Sequence, residues 1–150
     1  MVYTDSHGWP SGIQFGGTGF DYTQLAALRP IVPDSNTWYI SDYLSNELND
    51  LFCAIYDACS VGASSNPVGD NMVGLTYIKG CHFTLAWTIS IWGNNFKDCF
   101  VSSLLNGNSL YEALRNAVEN SQNQNYTGIW NYHFLGDGDI VFHHVQEVNN

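Results

Sequence analysis

Six consecutive apolar residues, Leu51-Phe52-Cys53-Ala54-Ile55-Tyr56, run without alternation into Asp57. A half-wetted strand would place a polar residue at every second position. An unbroken run of this length instead suits a strand buried on both faces, and such strands belong to parallel sheets covered by helices. Val2 to Asp5 is a second, shorter run that stops at Ser6-His7-Gly8. Phe83 to Trp92, aromatic and β-branched, is a third strand candidate. Trp130 to Phe134 is a fourth, with a turn at Gly136-Asp137-Gly138-Asp139 and an extension over Ile140 to Phe142.

Helical signals lie between these runs. Residues 22–28 suit one or two helical turns before Pro30, and Ser41 to Leu48 carries Tyr43, Leu44 and Leu48 at one-face spacing. Asp70 is placed to cap a helix through Met72, Val73, Leu75 and Tyr77 to Lys79, ended by Gly80. Asn94 or Asn95 caps the next, with Phe96, Cys99, Phe100, Ser103 and Leu104 on one face and Gly107 at its end. Ser109-Leu110-Tyr111-Glu112 is a capping box, opening a helix with Leu110, Ala113, Leu114, Ala117 and Val118 inward. Trp9 to Gly19 holds four glycines and a proline and reads as an irregular exposed loop. Ala63 to Gly69 reads as a second loop and Asn120 to Asn125 as a polar linker. Strands alternating with helices predict a single α/β domain over residues 1–150 around a mostly parallel sheet.

Composition narrows the function classes. The chain is 45% hydrophobic and 15% aromatic but only 12% charged, so it is equipped to fold. Its net charge is −10, with four scattered basic residues, Arg29, Lys79, Lys97 and Arg115. That excludes a nucleic-acid partner, which needs clustered cations; it favours a basic peptide through long-range steering. No apolar run is long enough for a membrane span, and no signal peptide is visible. Cys53, Cys59, Cys81 and Cys99 form no CxxC pair, which argues against structural zinc. Few lysines, abundant Asn, Trp and Tyr, and the sequon Asn125-Tyr126-Thr127 lean toward an extracellular or cell-surface setting.

His7 and Cys59 carry the chemistry. Each lies just past the carboxyl end of an expected parallel strand, the edge at which open α/β sheets build their sites. A thiol is a weak nucleophile until an imidazole takes its proton. The small neighbours Ala58, Ser60 and Gly62 leave room for a substrate backbone. The N–H groups of Gly8 and Cys59 are candidate donors to an oxyanion. Trp9 and Ser60 flank the pair as substrate contacts, and Asp70 is a candidate reader of a basic residue. A lone His or Cys is usually structural; the joint pattern, His first and Cys roughly fifty residues later, is more specific. Asp137 with Asp139 reads better as a turn than as a calcium loop. His143-His144 would need His133 to make a metal site. His82 reads as structural.

Ser6-His7-Gly8 and Asp57-Ala58-Cys59-Ser60-Val61-Gly62 resemble the two active-site motifs of the caspase–gingipain–clostripain clan of cysteine peptidases. Helix 95–105, Gly107, the helix from Ser109 and Leu135-Gly136-Asp137 resemble the closing part of its gingipain-like and caspase-like (CHAT-type) domains. The resemblance implies a three-layer α/β/α sandwich, here lacking the family's first two strands. It implies an endopeptidase with a Cys59/His7 dyad, no required third residue and no cofactor. Asp5 is more simply a polar strand end than an orienter of His7. Without the family's first strands, Val2–Asp5 is left as an edge, and an edge of that kind is normally covered; a partner segment or second subunit is therefore expected against it. The other function open to the sequence is a non-catalytic interaction or assembly subunit completed by another chain.

Overall fold

The computed structural model describes residues 1–9, 12–15, 23–31, 35–63, 71–89, 95–123 and 131–142. The fold is mixed α/β. The chain divides into two compact units, Met1–Ile91 with Trp130–Gly136, and Trp92–Ile129 with Asp137–Asn150.

The first unit holds two four-stranded sheets. One is built from β1 (Val2–Asp5), β6 (Ala54–Asp57), β7 (Phe83–Trp87) and β8 (Tyr132–Gly136), in that order. β1, β6 and β7 are parallel, and β8 closes the sheet antiparallel to β7. The apolar run is the second strand of this sheet. Every residue of β6 is buried, as expected of a strand flanked on both sides. The run itself begins ahead of the strand, with Phe52 half exposed, so the strand starts later than the apolar pattern. β7 likewise begins at Phe83 but ends at Trp87.

The second sheet departs from the sequence-based expectation. It is formed by β2 (His7–Trp9), β3 (Gly12–Phe15), β4 (Thr23–Ala26) and β5 (Thr37–Tyr39). β2, β3 and β4 are antiparallel, and β5 runs parallel to β4. Residues 12–15, expected as loop, are a strand. Residues 23–26, expected as helix, are also a strand. Gln24, Leu25 and Ala26 favour helices in isolation, but pairing with β3 on one side and β5 on the other overrides that preference. The helix expected over 41–48 is reduced to a single 3-10 turn, Ile40–Asp42. Asn46 takes a left-handed backbone (φ 67°), and Lys79 Nζ occupies the carbonyls of Ser41 and Tyr43.

A buried cluster joins both sheets to helix α1 (Met72–Ile78): Ile13, Ile40, Tyr56, Val61, Met72 and Val73 belong to it. α1 is capped by Asn71, whose side chain accepts from Gly74 N–H at 2.8 Å. The cap expected at Asp70 is therefore one residue later, and Asp70 itself lies outside the described residues.

The second unit is helical. α2 (Phe96–Leu105) packs on α3 (Leu110–Asn123). The capping box is formed: Glu112 N–H donates to Ser109 Oγ at 3.3 Å, and Ser109 N–H donates to Glu112 Oε2 at 2.9 Å. Leu110, Ala113, Leu114, Ala117 and Val118 are all fully buried. α3 continues to Asn123, through the start of the expected linker. In place of a strand at Ile140–Phe142 there is an isolated bridge, Ser109 to Val141. No described helix is long and apolar enough to cross a membrane.

Candidate functional site

Adjacent parallel strands carry the two motifs. β1 and β6 run in register from Val2 opposite Ala54 to Asp5 opposite Asp57. Ser6 N–H extends the ladder to Asp57 C=O at 3.2 Å. Ser6-His7-Gly8 and Ala58-Cys59-Ser60 therefore leave the same edge of the sheet side by side.

Gly8 shows how close they come. A Cβ built on Gly8 would fall 2.4 Å from Val61 Cγ2, 2.9 Å from Ala58 Cβ and 2.9 Å from the Cys59 carbonyl oxygen. Only a residue without a side chain fits against this turn, so the glycine of the His-Gly motif is a packing requirement of the Cys turn. Side chains alternate along a strand. Gly8 faces the Cys turn, and its neighbours His7 and Trp9 project to the other side of β2. His7 is exposed and Trp9 half-buried. Trp9 lies over Gly12, where an added Cβ would meet its indole at 2.4 Å. The two motifs thus meet through their backbones, with the His7 imidazole at the open side.

The Cys turn is held in an uncommon conformation. Ser60, next to the thiol, has φ 61°; the left-handed region costs a non-glycine residue about 1–2 kcal/mol. Backbone bonds to the β7 end hold it there. Ser60 N–H donates to Ile89 C=O at 3.1 Å, Gly62 N–H to Trp87 C=O at 2.8 Å, and Ala63 N–H closes the turn on Ser60 C=O at 2.9 Å. Each such bond contributes about 1 kcal/mol net, so together they exceed the strain. Cys59 is half-buried, partly open to solvent yet fixed by its neighbours.

Two further groups adjoin the turn. Asp57 is almost fully buried and accepts a hydrogen bond from the Tyr3 hydroxyl. The sequence flags it only as a charge at the end of an apolar strand, an uncommon place for one. His133, on β8, stands opposite Ala86 in the sheet. Burial holds its pKa below the usual imidazole value, an effect that the Gly62 backbone opposes. No periodicity or motif singles His133 out, because only sheet pairing brings it there.

The remaining candidates have structural surroundings. All four cysteines are free thiols. Burial pushes the Cys53 thiol up to about 12 and raises Cys81 as well, which leaves them inert. His82 Nε2 lies 2.9 Å from Asn49 C=O. Asp137 Oδ1 accepts from Asp139 N–H at 2.9 Å, an ordinary turn. Among the described residues no group of three His, Cys, Asp or Glu side chains could hold a metal ion; His143 and His144 lie outside them. Cationic side chains are occupied elsewhere: Arg29 pairs with Asp42, Arg115 with Glu119, and Lys79 binds backbone carbonyls.

β1 is an edge strand among the described strands. A cleft of about 600 Å³ runs beside it, lined by all four β1 residues together with Phe15, Leu25 and others. Successive strand residues face opposite ways, so a cleft touching all four lies along the edge itself. Val2 N–H points to β6, donating to Cys53 C=O at 2.8 Å. By alternation, the N–H groups of Tyr3 and Asp5 point toward the cleft.

No protein-family profile, curated protein or solved structure matches the chain.

Proposed function

We propose that this chain is a cysteine endopeptidase of caspase-like type, with Cys59 as nucleophile and His7 as general base. The observation that carries the reading is the contact between Gly8 and the Cys59 turn, reached from two parallel strands at one sheet edge. A merely structural cysteine needs neither a left-handed residue beside it nor a glycine packed against its carbonyl.

The steps balance without a cofactor. His7 takes the Cys59 proton, and the thiolate attacks the peptide carbonyl carbon, forming an S–C bond. The backbone amides of Gly8 and Cys59 are the donors assigned to the developing oxyanion. The C–N bond breaks as the imidazolium returns its proton to the leaving amine. Water, deprotonated by His7, then hydrolyses the thioester and releases the acid and the thiol. Catalytic hydrogen bonds often tighten only in the complex, so the exposed His7 ring has to come within one-water reach of Sγ when substrate is bound. Ser60 borders the approach.

The test uses acyloxymethyl-ketone peptides carrying Arg, Lys, Asp or Asn at P1, with peptide turnover measured in parallel. One of these probes should label Cys59, and Cys59→Ala should abolish turnover while its melting temperature stays within a few degrees. Undiminished turnover in Cys59→Ala refutes the assignment.

The edge position of β1 among the described strands favours a second element of the same reading, a partner chain that pairs there. An extended basic segment fits: the cleft wall is mostly apolar, Asp5 is its one carboxylate, and the chain carries −10. A decapeptide alternating Val and Lys should slow amide exchange at Asp5, and one alternating Val and Glu should not. Unchanged exchange with both peptides removes the partner surface.

A further inference from the structure

A second cleft, of about 540 Å³, lies wholly within the helical unit. It follows the seam between α2, α3 and the link that joins them. Five asparagines, two serines, Asp98 and Cys99 line it. On α2 the contributors recur every three or four residues, from Asp98 through Ser102 to the cap at Asn106, so they share one face. Asn116 and Asn120, four residues apart, are their counterparts on α3. The nearly buried Ser103 hydroxyl ties the two sides together. It accepts from Asn108 Nδ2 at 2.9 Å and from Asn116 Nδ2 at 3.0 Å. One carboxamide from the link and one from α3 are thereby fixed, with their Oδ1 atoms directed away from the shared hydroxyl.

The chemistry of this lining selects its ligand. No basic side chain is present, so a phosphate or carboxylate finds no countercharge. No aliphatic or aromatic side chain is present either, so an apolar ligand gains little by entering. A calcium-like cation takes several oxygen ligands with carboxylates among them, and Asp98 is the only carboxylate here. What remains is a set of neutral groups, each able to donate and to accept. Sugar hydroxyls have the same double capacity, and two adjacent ones can engage the oxygen and the nitrogen of one carboxamide. The volume falls within the ~300–1,000 Å³ of small-molecule sites. We propose that the cleft between α2 and α3 binds a neutral saccharide, its hydroxyls paired with the carboxamides of Asn106, Asn108, Asn116 and Asn120. The inference is independent of the peptidase reading and uses none of its residues. With no ring to stack on the sugar, the affinity is that of about four net hydrogen bonds, a dissociation constant of about 1 mM.

Cys99, half-buried in the cleft, reports occupancy. The experiment titrates the full chain with maltose, cellobiose, lactose and N,N′-diacetylchitobiose to about 20 mM, well above that constant. Side-chain amide ¹H–¹⁵N spectra follow the asparagines, and iodoacetamide alkylation follows Cys99 with Cys59 as internal reference. At least one saccharide should saturably shift the Asn108 and Asn116 amides and slow Cys99 alkylation while leaving Cys59 unchanged. Asn116→Ala and Asn120→Ala, both at exposed positions on α3, should each weaken binding about fivefold, the factor for one hydrogen bond. Free oligosaccharides and protein-borne glycans share this chemistry, and ovalbumin before and after enzymatic deglycosylation separates them. Binding lost on deglycosylation points to a protein-borne glycan, binding of the disaccharides alone points to a free sugar, and each supports the site. Amide spectra unmoved by every saccharide overturn the proposal. So does binding that is equally tight in both variants. Shifts produced by calcium chloride or arginine and by no saccharide overturn it as well, because the cleft would then be a cation site.

Discussion

Substituting Gly8 by Ala is the sharpest perturbation of the site. The new methyl would sit 2.4 Å from Val61 Cγ2 and 2.9 Å from both Ala58 Cβ and Cys59 C=O. Ordinary carbon contacts lie near 3.5–4.0 Å. Val61 has a side-chain torsion and can yield part of its overlap, although it is fully buried. Ala58 Cβ and the Cys59 carbonyl have none, so the backbone of one turn has to retreat by about half an ångström or more. Overpacking of this kind costs about 1–3 kcal/mol, and the two rigid contacts put Gly8→Ala near ~2 kcal/mol. For a chain of this size that lowers the melting temperature by about 4–8 °C. The strained turn should shift with it, so iodoacetamide labelling of Cys59 should change together with stability. Val61→Ala relieves one of the three overlaps, and the double mutant should be more stable than the sum of the single effects by ~0.5 kcal/mol or more. Calorimetric melting and chemical denaturation of the four proteins measure this cycle. Gly8→Ala within 0.5 kcal/mol of wild type, with unchanged Cys59 labelling, would show that the His-Gly and Cys turns do not touch.

Further outcomes follow from the same contacts. Maleimide at neutral pH should modify Cys59 and Cys99 well before Cys53 and Cys81, because burial keeps the latter pair protonated; mass mapping over time checks the order. The Cys53 pKa is raised above the usual thiol value, to about 12. Its contribution is therefore intact below the unfolded value and lost as pH rises above it. Denaturation at about pH 10 should show ~1 kcal/mol less stability from this group, a loss that Cys53→Ala removes. Ser109→Ala removes the cap acceptor of α3 and should cost ~1 kcal/mol, read as faster amide exchange in its first turn. Glu112 is held below its usual pKa first by the Ser109 backbone and then by its hydroxyl. Its support for α3 is therefore present above the ordinary carboxylate value and fades as pH falls below it, a dependence absent in Glu112→Gln. Gly136→Ala should be severely destabilising, since φ is 107° and the added methyl would meet His82 C=O at 2.0 Å.

Several elements were legible because their signals are local. The unbroken apolarity of Ala54–Tyr56 announces two-sided burial, and β6 is buried throughout. Ser109 and Glu112 announce a cap, and the helical spacing of Leu110, Ala113, Leu114, Ala117 and Val118 announces a buried face. The second sheet was not legible. Its strands are three or four residues long, its β3 begins at a glycine, and three of the four β4 residues, Gln24, Leu25 and Ala26, favour helix. Such segments become strands only because partners exist on either side.

The candidate site divides in the same way. The sequence by itself determined that His7 and Cys59 each follow a strand and that small residues stand beside them, because strand ends and small residues are written in local composition. Only the tertiary structure decided that β1 and β6 are neighbours, that Gly8 packs on the Cys59 carbonyl, and that His133 stands opposite Ala86. Those facts depend on register across the sheet, where residues far apart in the chain come within a few ångströms. Register is fixed by the whole set of buried contacts and by no single segment.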